Sequence, residues 1–119
     1  MTALFLCSMN RLRSPTAEHV ARQLGFEADS AGIAHDADTV VTPEHIMWAE
    51  QIFVMENVHK SKLTKKYSHL LKDKKIIVLG IKDDYECMQP ELIEILEKKL
   101  PHFLGSPAYI TDISKKLKM

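Results

Sequence analysis

Ala3-Leu4-Phe5-Leu6-Cys7-Ser8-Met9-Asn10-Arg11-Leu12-Arg13-Ser14-Pro15 joins an uninterrupted apolar run to a helix start. A short run such as Ala3 to Leu6, with no polar alternation, is what a strand buried on both faces of a parallel sheet presents. Ser14-Pro15 predicts a helix N-terminus, with Pro15 at the first helical position, where a missing N–H costs little. Ala17, Val20, Ala21 and Leu24 follow at i, i+3, i+4 and i+7, one apolar helix face, and Gly25 predicts its stop.

The same punctuation continues outward. Phe26 to Ser30 reads as a second strand, ending in Ala31-Gly32. Thr42-Pro43 opens a helix through about Ala49, and Ile52 to Met55 reads as a third strand. Asn57 is placed to cap a helix towards Tyr67. Ile76 to Leu79 reads as a fourth strand, closed by Gly80. Pro90 opens a helix whose face carries Leu92, Ile93, Leu96 and Leu100 and which Pro101 ends. Ser106-Pro107 to Met119 reads as a short last helix. Strands alternating with helices imply right-handed crossovers and a parallel sheet covered on both faces, an α/β fold.

A chain of 119 residues suits one domain, over residues 1–119, with one modest core. Sixteen basic and sixteen acidic side chains cancel, so overall charge directs the chain neither to nucleic acid nor to a membrane surface. No apolar run approaches the roughly 18–20 residues of a membrane span. Ala3 to Cys7 is too short for a signal-peptide core, and arginines follow it, so a cytoplasmic location is expected. Two cysteines, Cys7 and Cys87, make no disulfide framework. None of the six histidines stands at ligand spacing with another or with a cysteine, so no metal site is expected. The lysines between Lys60 and Lys75 read as a solvated face.

The chemistry concentrates where the first strand ends. Cys7 to Ser14 has C-x5-R-S spacing. In open parallel sheets ligands bind beyond the carboxyl ends of strands, where free N–H groups and the helix dipole attract an anion. A loop of this length can wrap its backbone N–H groups around a phosphate. Arg13 can grip two phosphate oxygens with its planar fork. The same positive surroundings favour thiolate over thiol at Cys7, and the Ser14 hydroxyl can donate to it. Phosphoryl transfer to a thiolate also needs an acid for the departing oxygen. Asp83 and Asp84 follow the fourth strand, on the same sheet edge, and Tyr85 would add an aromatic wall.

These residues together resemble the low-molecular-weight protein tyrosine phosphatases. LFLCSMNRLRSPTAEHVARQL is similar to that family's opening strand, catalytic loop and first helix. Asp29-Ser30-Ala31-Gly32, the stretch Trp48 to Met55 and Lys82-Asp83-Asp84-Tyr85 resemble later family segments in the correct order. The resemblance implies a three-layer α/β/α sandwich on a four-stranded parallel sheet, the phosphotyrosine phosphatase I-like, Rossmann-like fold. It implies Cys7 as nucleophile, Arg13 as phosphate clamp and Asp83 as general acid, then general base. Ser8, Met9, Asn10, Arg11, Leu12 and Ser14 would surround the phosphate, with Tyr85 beside it. Asn10 would hold a strained turn, since asparagine tolerates positive φ. Ser30 would brace Asn10, and His35 would join the same network. The implied substrate is a phosphotyrosine protein or small aryl phosphate, with inorganic phosphate as product, a phosphocysteine intermediate and no cofactor.

The sequence departs from the family at several points. Met9 replaces a usual glycine and would alter the loop if that position needed glycine's conformations. Leu12 stands where many members carry a second, protective cysteine. Cys87 either substitutes for it or is an inert thiol. Residues are missing between Gly32 and Thr42, where the family builds part of the substrate wall, so a shallower site is expected. The acid motif reads Asp-Asp-Tyr, which makes Asp84 a rival to Asp83. Two further functions stay open: an arsenate reductase on the same fold, which generally needs two more cysteines, and a phosphate- or phosphoprotein-binding module without turnover.

Overall fold

Successive residues of a strand point to opposite faces of its sheet, and in β1 (Thr2–Cys7) both faces are covered. In the computed structural model, which describes residues 2–104, Ala3, Phe5 and Cys7 pack against α1 (Arg13–Gln23) and α4 (Pro90–Leu104). Leu4 and Leu6 pack on the other side, with Ile46 of α2 (Pro43–Trp48) and Leu63 of α3 (Asn57–Tyr67). Burial on both faces explains the unbroken apolar run. Phe5 also stacks on Phe53 of β3 (Gln51–Val54), with ring centroids 4.9 Å apart.

With β2 (Glu27–Gly32) and β4 (Lys75–Val78) the sheet is four-stranded and wholly parallel, in the order β2-β1-β3-β4. Helices cover both faces, so the expected three-layer α/β/α architecture is the one observed. The chain leaves β1 in one direction to form β2 and returns to its other side to form β3. The crevice at the carboxyl ends of β1 and β3 is therefore a topological switch point.

Local chemistry sets the element ends. Gly25, at φ 93°, closes α1: Phe26 N–H bonds Ala21 O and Gly25 N–H bonds Arg22 O, each at 3.0 Å. Thr42 caps α2, accepting the His45 N–H. Beyond β4, Leu79 and Ile81 still donate to Val54 and Met55 of the β3 segment, and Gly80 turns between them at φ 70°.

The strands β2, β3 and β4 are shifted by one or two residues from expectation, and three helix boundaries differ. α1 begins at Arg13, so Pro15 is its third residue and Arg13 belongs to the first turn. Glu56, not Asn57, is the cap of α3; Asn57 is its first helical residue. Pro101 lies inside α4, which runs on to Leu104. Pro101 and Glu97 are both exposed, so the Glu97 carbonyl that loses its helical donor can turn to water. The helix read over Ser106 to Met119 lies outside the described residues.

Candidate active site

Cys7 is the last residue of β1, and its thiol is buried at 4% exposure. Its Sγ lies 2.9 Å from Ser14 Oγ and accepts the Asn10 N–H at 3.3 Å. Ser14 Oγ is also 3.2 Å from Asn10 Oδ1. The Ser14 hydroxyl has one proton for two neighbours. A thiol at Cys7 can donate to Ser14, which then donates to Asn10; a thiolate takes the Ser14 proton itself.

The loop turns where expected. Asn10 has φ 56°, and among the described residues only Met88 is another non-glycine with positive φ. Met9 keeps negative φ, so methionine in place of glycine imposes no left-handed strain there.

The short segment after β2 works as a bracket. Ile33 N–H donates to Cys7 O, Ala34 N–H to Ser8 O and Asp38 N–H to Met9 O, at 2.9, 2.9 and 3.0 Å. The Arg11 Nε bonds Asp38 Oδ1 at 2.9 Å. Fixing successive carbonyls outward turns the alternate side of the loop, with its N–H groups, inward; the Asn10 N–H aimed at Cys7 shows that sense. Gly32 lets the two strands of chain approach. A Cβ there would stand 2.4 Å from Ala37 Cβ and 2.7 Å from Ser8 O. At the other end of the loop, the α1 cap residue Leu12 has no side-chain acceptor for the first-turn N–H groups.

Arg13 is buried and held by its Nη1 alone, which donates to Glu56 Oε1 at 2.5 Å and to Ile81 O at 2.7 Å. Its Nε lies 3.6 Å from Asp83 Oδ1. Among the described residues the Nε–Nη2 edge has no hydrogen bond, and its ionic contact is the one with Asp83. The Arg13 hydrogen bond holds the Glu56 carboxyl below the usual carboxylate range.

A cavity of about 200 Å³ is lined by Cys7, Ser8, Met9, Arg11, Leu12, Arg13 and Asp83. Asp84 and Tyr85 lie outside it, lining a separate cavity with Ile95 and Lys99 of α4. The geometry thus separates the two rival aspartates and sets Asp83 beside Cys7 and Arg13. Tyr85 is half-buried against the α1–α4 side of the core instead of forming a wall. Met9 and Leu12 supply the apolar lining. Cys87 is an exposed free thiol, 3.8 Å from Thr16 Oγ1.

Two expected supports are elsewhere. Ser30 does not brace Asn10: its hydroxyl donates to Glu18 Oε1 of α1 at 2.6 Å. His35 is exposed and, among the described residues, without a hydrogen-bond partner. Position 35 falls on the bracket, whose hydrogen bonds to the loop come from the backbone of residues 33, 34 and 38 and from the Asp38 carboxylate.

Sequence reasoning missed Glu56 and His59. His59 is 1% exposed; its Nε2 lies 3.0 Å from Ser8 Oγ and its Nδ1 accepts the Glu56 N–H at 3.1 Å. Burial, and then the nearby Arg13 charge, push its pKa below the ordinary histidine value. The available signal was position. Both residues follow β3 on the edge that carries Cys7, where ligand-binding groups collect. Among the described residues no cluster of three or more His, Cys, Asp or Glu is placed to hold a metal ion, and no helix is long and apolar enough to cross a membrane.

The four-stranded parallel sheet in this order, covered by helices on both faces, is the low-molecular-weight phosphatase fold. Solved structures with this fold align over nearly the whole chain. A cysteine-to-serine mutant of YwlE arginine phosphatase with a phosphorylated active-site serine superposes with a TM-score of 0.69 and 19% identity, covering 92% of this chain and 99% of that one. The tyrosine phosphatase Wzb from Escherichia coli K30, in complex with phosphate, gives 0.65 and 21%, covering 87% and 98%. Wzb from Vibrio vulnificus, in complex with benzylphosphonate, gives 0.66 and 22%, covering 82% and 92%. No family model matches the chain, and no curated protein matches it significantly.

Proposed function

We propose that this protein is a cysteine-dependent phosphatase that hydrolyses phosphotyrosine or aryl phosphate monoesters through a phosphocysteine intermediate. One observation carries the proposal. A buried Cys7 Sγ, contacted by Ser14 Oγ and the Asn10 N–H, lies in a cavity whose walls include Arg13 and Asp83.

In the first step Cys7 Sγ attacks phosphorus, the S–P bond forms and the ester P–O bond breaks. Asp83 gives its proton to the departing oxygen. Arg13 holds two equatorial oxygens with its Nε–Nη2 edge, and inward N–H groups of residues 8–13 bind the charge that develops on them. In the second step water attacks phosphorus, Asp83 accepts its proton, and the S–P bond breaks to release inorganic phosphate. The phosphorylated serine in the YwlE mutant is consistent with transfer to the residue at this position. Cys7 must stay reduced for this chemistry, which fits a cytoplasmic setting.

The fold is shared by tyrosine and arginine phosphatases, and the cavity rim favours the former substrate class. Arg11 stands at the rim, where a guanidinium leaving group would meet like charge, even with Asp38 paired to it. Met9 and Leu12 offer an aromatic ring an apolar surface. An arsenate reductase is less well supported, because only Cys87 is available as a second thiol.

Hydrolysis of para-nitrophenyl phosphate without metal tests the assignment. Wild type turns over, Cys7→Ser does not, and Asp83→Ala loses about 10²–10⁴-fold, the usual worth of a general acid. Asp84→Ala stays near wild type. Phosphate binding without wild-type turnover would instead identify a binding module.

A further inference from the structure

His59 is the one buried histidine among the described residues, and the steps above do not use it. Its two ring nitrogens are unequally placed. Nδ1 faces the Glu56 backbone N–H, a group that can only donate. In a neutral ring the proton must then sit on Nε2, and Nε2–H donates to Ser8 Oγ at 3.0 Å. Burial and the Arg13 charge both keep the ring neutral. With that proton pointed at its oxygen, the Ser8 hydroxyl must send its own proton elsewhere. Ser8 lines the same cavity as Cys7 and Arg13, so the cavity is open to it.

We propose that His59 is a positioning residue, which fixes the Ser8 hydroxyl as a donor to a phosphate oxygen in the Cys7 cavity. This inference rests on the phosphatase assignment for its effect on turnover, but the hydrogen bond and its effect on phosphate binding do not require turnover. It also couples the two walls of the cavity. The Glu56 that donates its N–H to His59 holds Arg13 with its carboxylate, so one cap orients both a serine donor and the arginine clamp.

Two substitutions separate the ring's two tasks. In His59→Asn the amide oxygen can take the place of Nδ1 and keep the Glu56 bond, but nothing reaches Ser8. In His59→Gln the amide nitrogen can reach Ser8 as Nε2 does. The expected result is that Ser8→Ala and His59→Asn each weaken inorganic phosphate binding and lower kcat/KM by about tenfold, the worth of one hydrogen bond to an anion. The double variant is no worse than Ser8→Ala alone, and His59→Gln recovers most of the loss. Nitrogen-15 spectra of the wild type show His59 protonated on Nε2. Protonation on Nδ1, wild-type phosphate affinity in His59→Asn, or losses that multiply in the double variant would each overturn the proposal. If the wild type binds phosphate without turnover, the phosphatase assignment fails, while the same pattern in phosphate affinity still supports the pairing. If it binds no phosphate, both fail.

Discussion

At the scale of the residue, the electrostatics of the site hang on two downward pKa shifts with different causes. His59 is shifted chiefly by burial, and Glu56 chiefly by its hydrogen bond from Arg13. The native state therefore takes up each proton later than the unfolded chain does. The His59 contribution to stability is complete above its unfolded value of about 6.5 and declines as pH falls from there through the folded value. The Glu56 contribution is complete above about 4.5 and is lost as pH falls through its own, lower folded value. Thermal unfolding across pH should show both declines. His59→Asn should remove the first and Glu56→Gln should blunt the second. A wild-type midpoint that is flat between pH 7 and the acid limit would contradict the network.

The residues of the site were legible to very different degrees. Cys7, Arg13 and Ser14 could be read because their spacing lies within one loop, where local geometry is dictated by the chain itself; the turn at Asn10 came from the family resemblance. Asp83 needed the extra step of placing two strand ends on one sheet edge. Glu56 and His59 carry no local motif. They enter the site only because β3 lies beside β1, a fact of sheet order that neither segment encodes alone. Ser30 and His35 failed for a related reason. Their roles came from the resemblance alone, and in this chain the loop is braced by the Ile33, Ala34 and Asp38 N–H groups and by the Asp38 carboxylate on Arg11.

At the scale of the element, the unit to consider is the Cys7–Ser14 loop with its bracket. The loop is held from outside by the Ile33, Ala34 and Asp38 N–H groups, so its shape does not depend on a bound anion alone. After β2 the chain makes a tight return that touches the loop at Gly32. Gly32→Ala should push the bracket away from Ser8 and Met9, since its Cβ would meet Ser8 O at 2.7 Å. The expected cost is about 1–3 kcal/mol of stability, as for other overpacked sites, with weaker phosphate binding. Urea unfolding and phosphate titration would measure both. An unchanged phosphate affinity would mean that the loop holds its shape without the bracket. Helix ends were the least legible feature of the elements. Pro15 and Asn57 marked the right turns but the wrong residues, because proline is tolerated in a first turn and the start of α3 is set by the His59 ring, which accepts the Glu56 N–H.

At the scale of the whole molecule, two strand positions agree with the hydropathy of their segments. The strand with the longest unbroken apolar run, β1, is central and the one flanked by polar residues, Lys75 to Val78, is an edge. Two apolar layers converge on that central strand. One contains α1 and α4, and the other α2 and α3. Leu96 of α4 is fully buried in the first. Leu96→Ala should cost about 2–5 kcal/mol, read as a lower urea midpoint at unchanged slope. A loss well below that range would show that α4 is not an integral layer of the core.

The central claim is that Cys7 carries the phosphoryl group, and the most direct test is to look for it there. Asp83→Ala should slow loss of the phosphoryl group from Cys7, because the same aspartate activates water in the second step. The variant is mixed with para-nitrophenyl phosphate, quenched in acid and analysed by peptide mass spectrometry. The account predicts phosphate on Cys7 and on no other residue. Turnover that proceeds with Cys7 unmodified, and that survives Cys7→Ser, would contradict it.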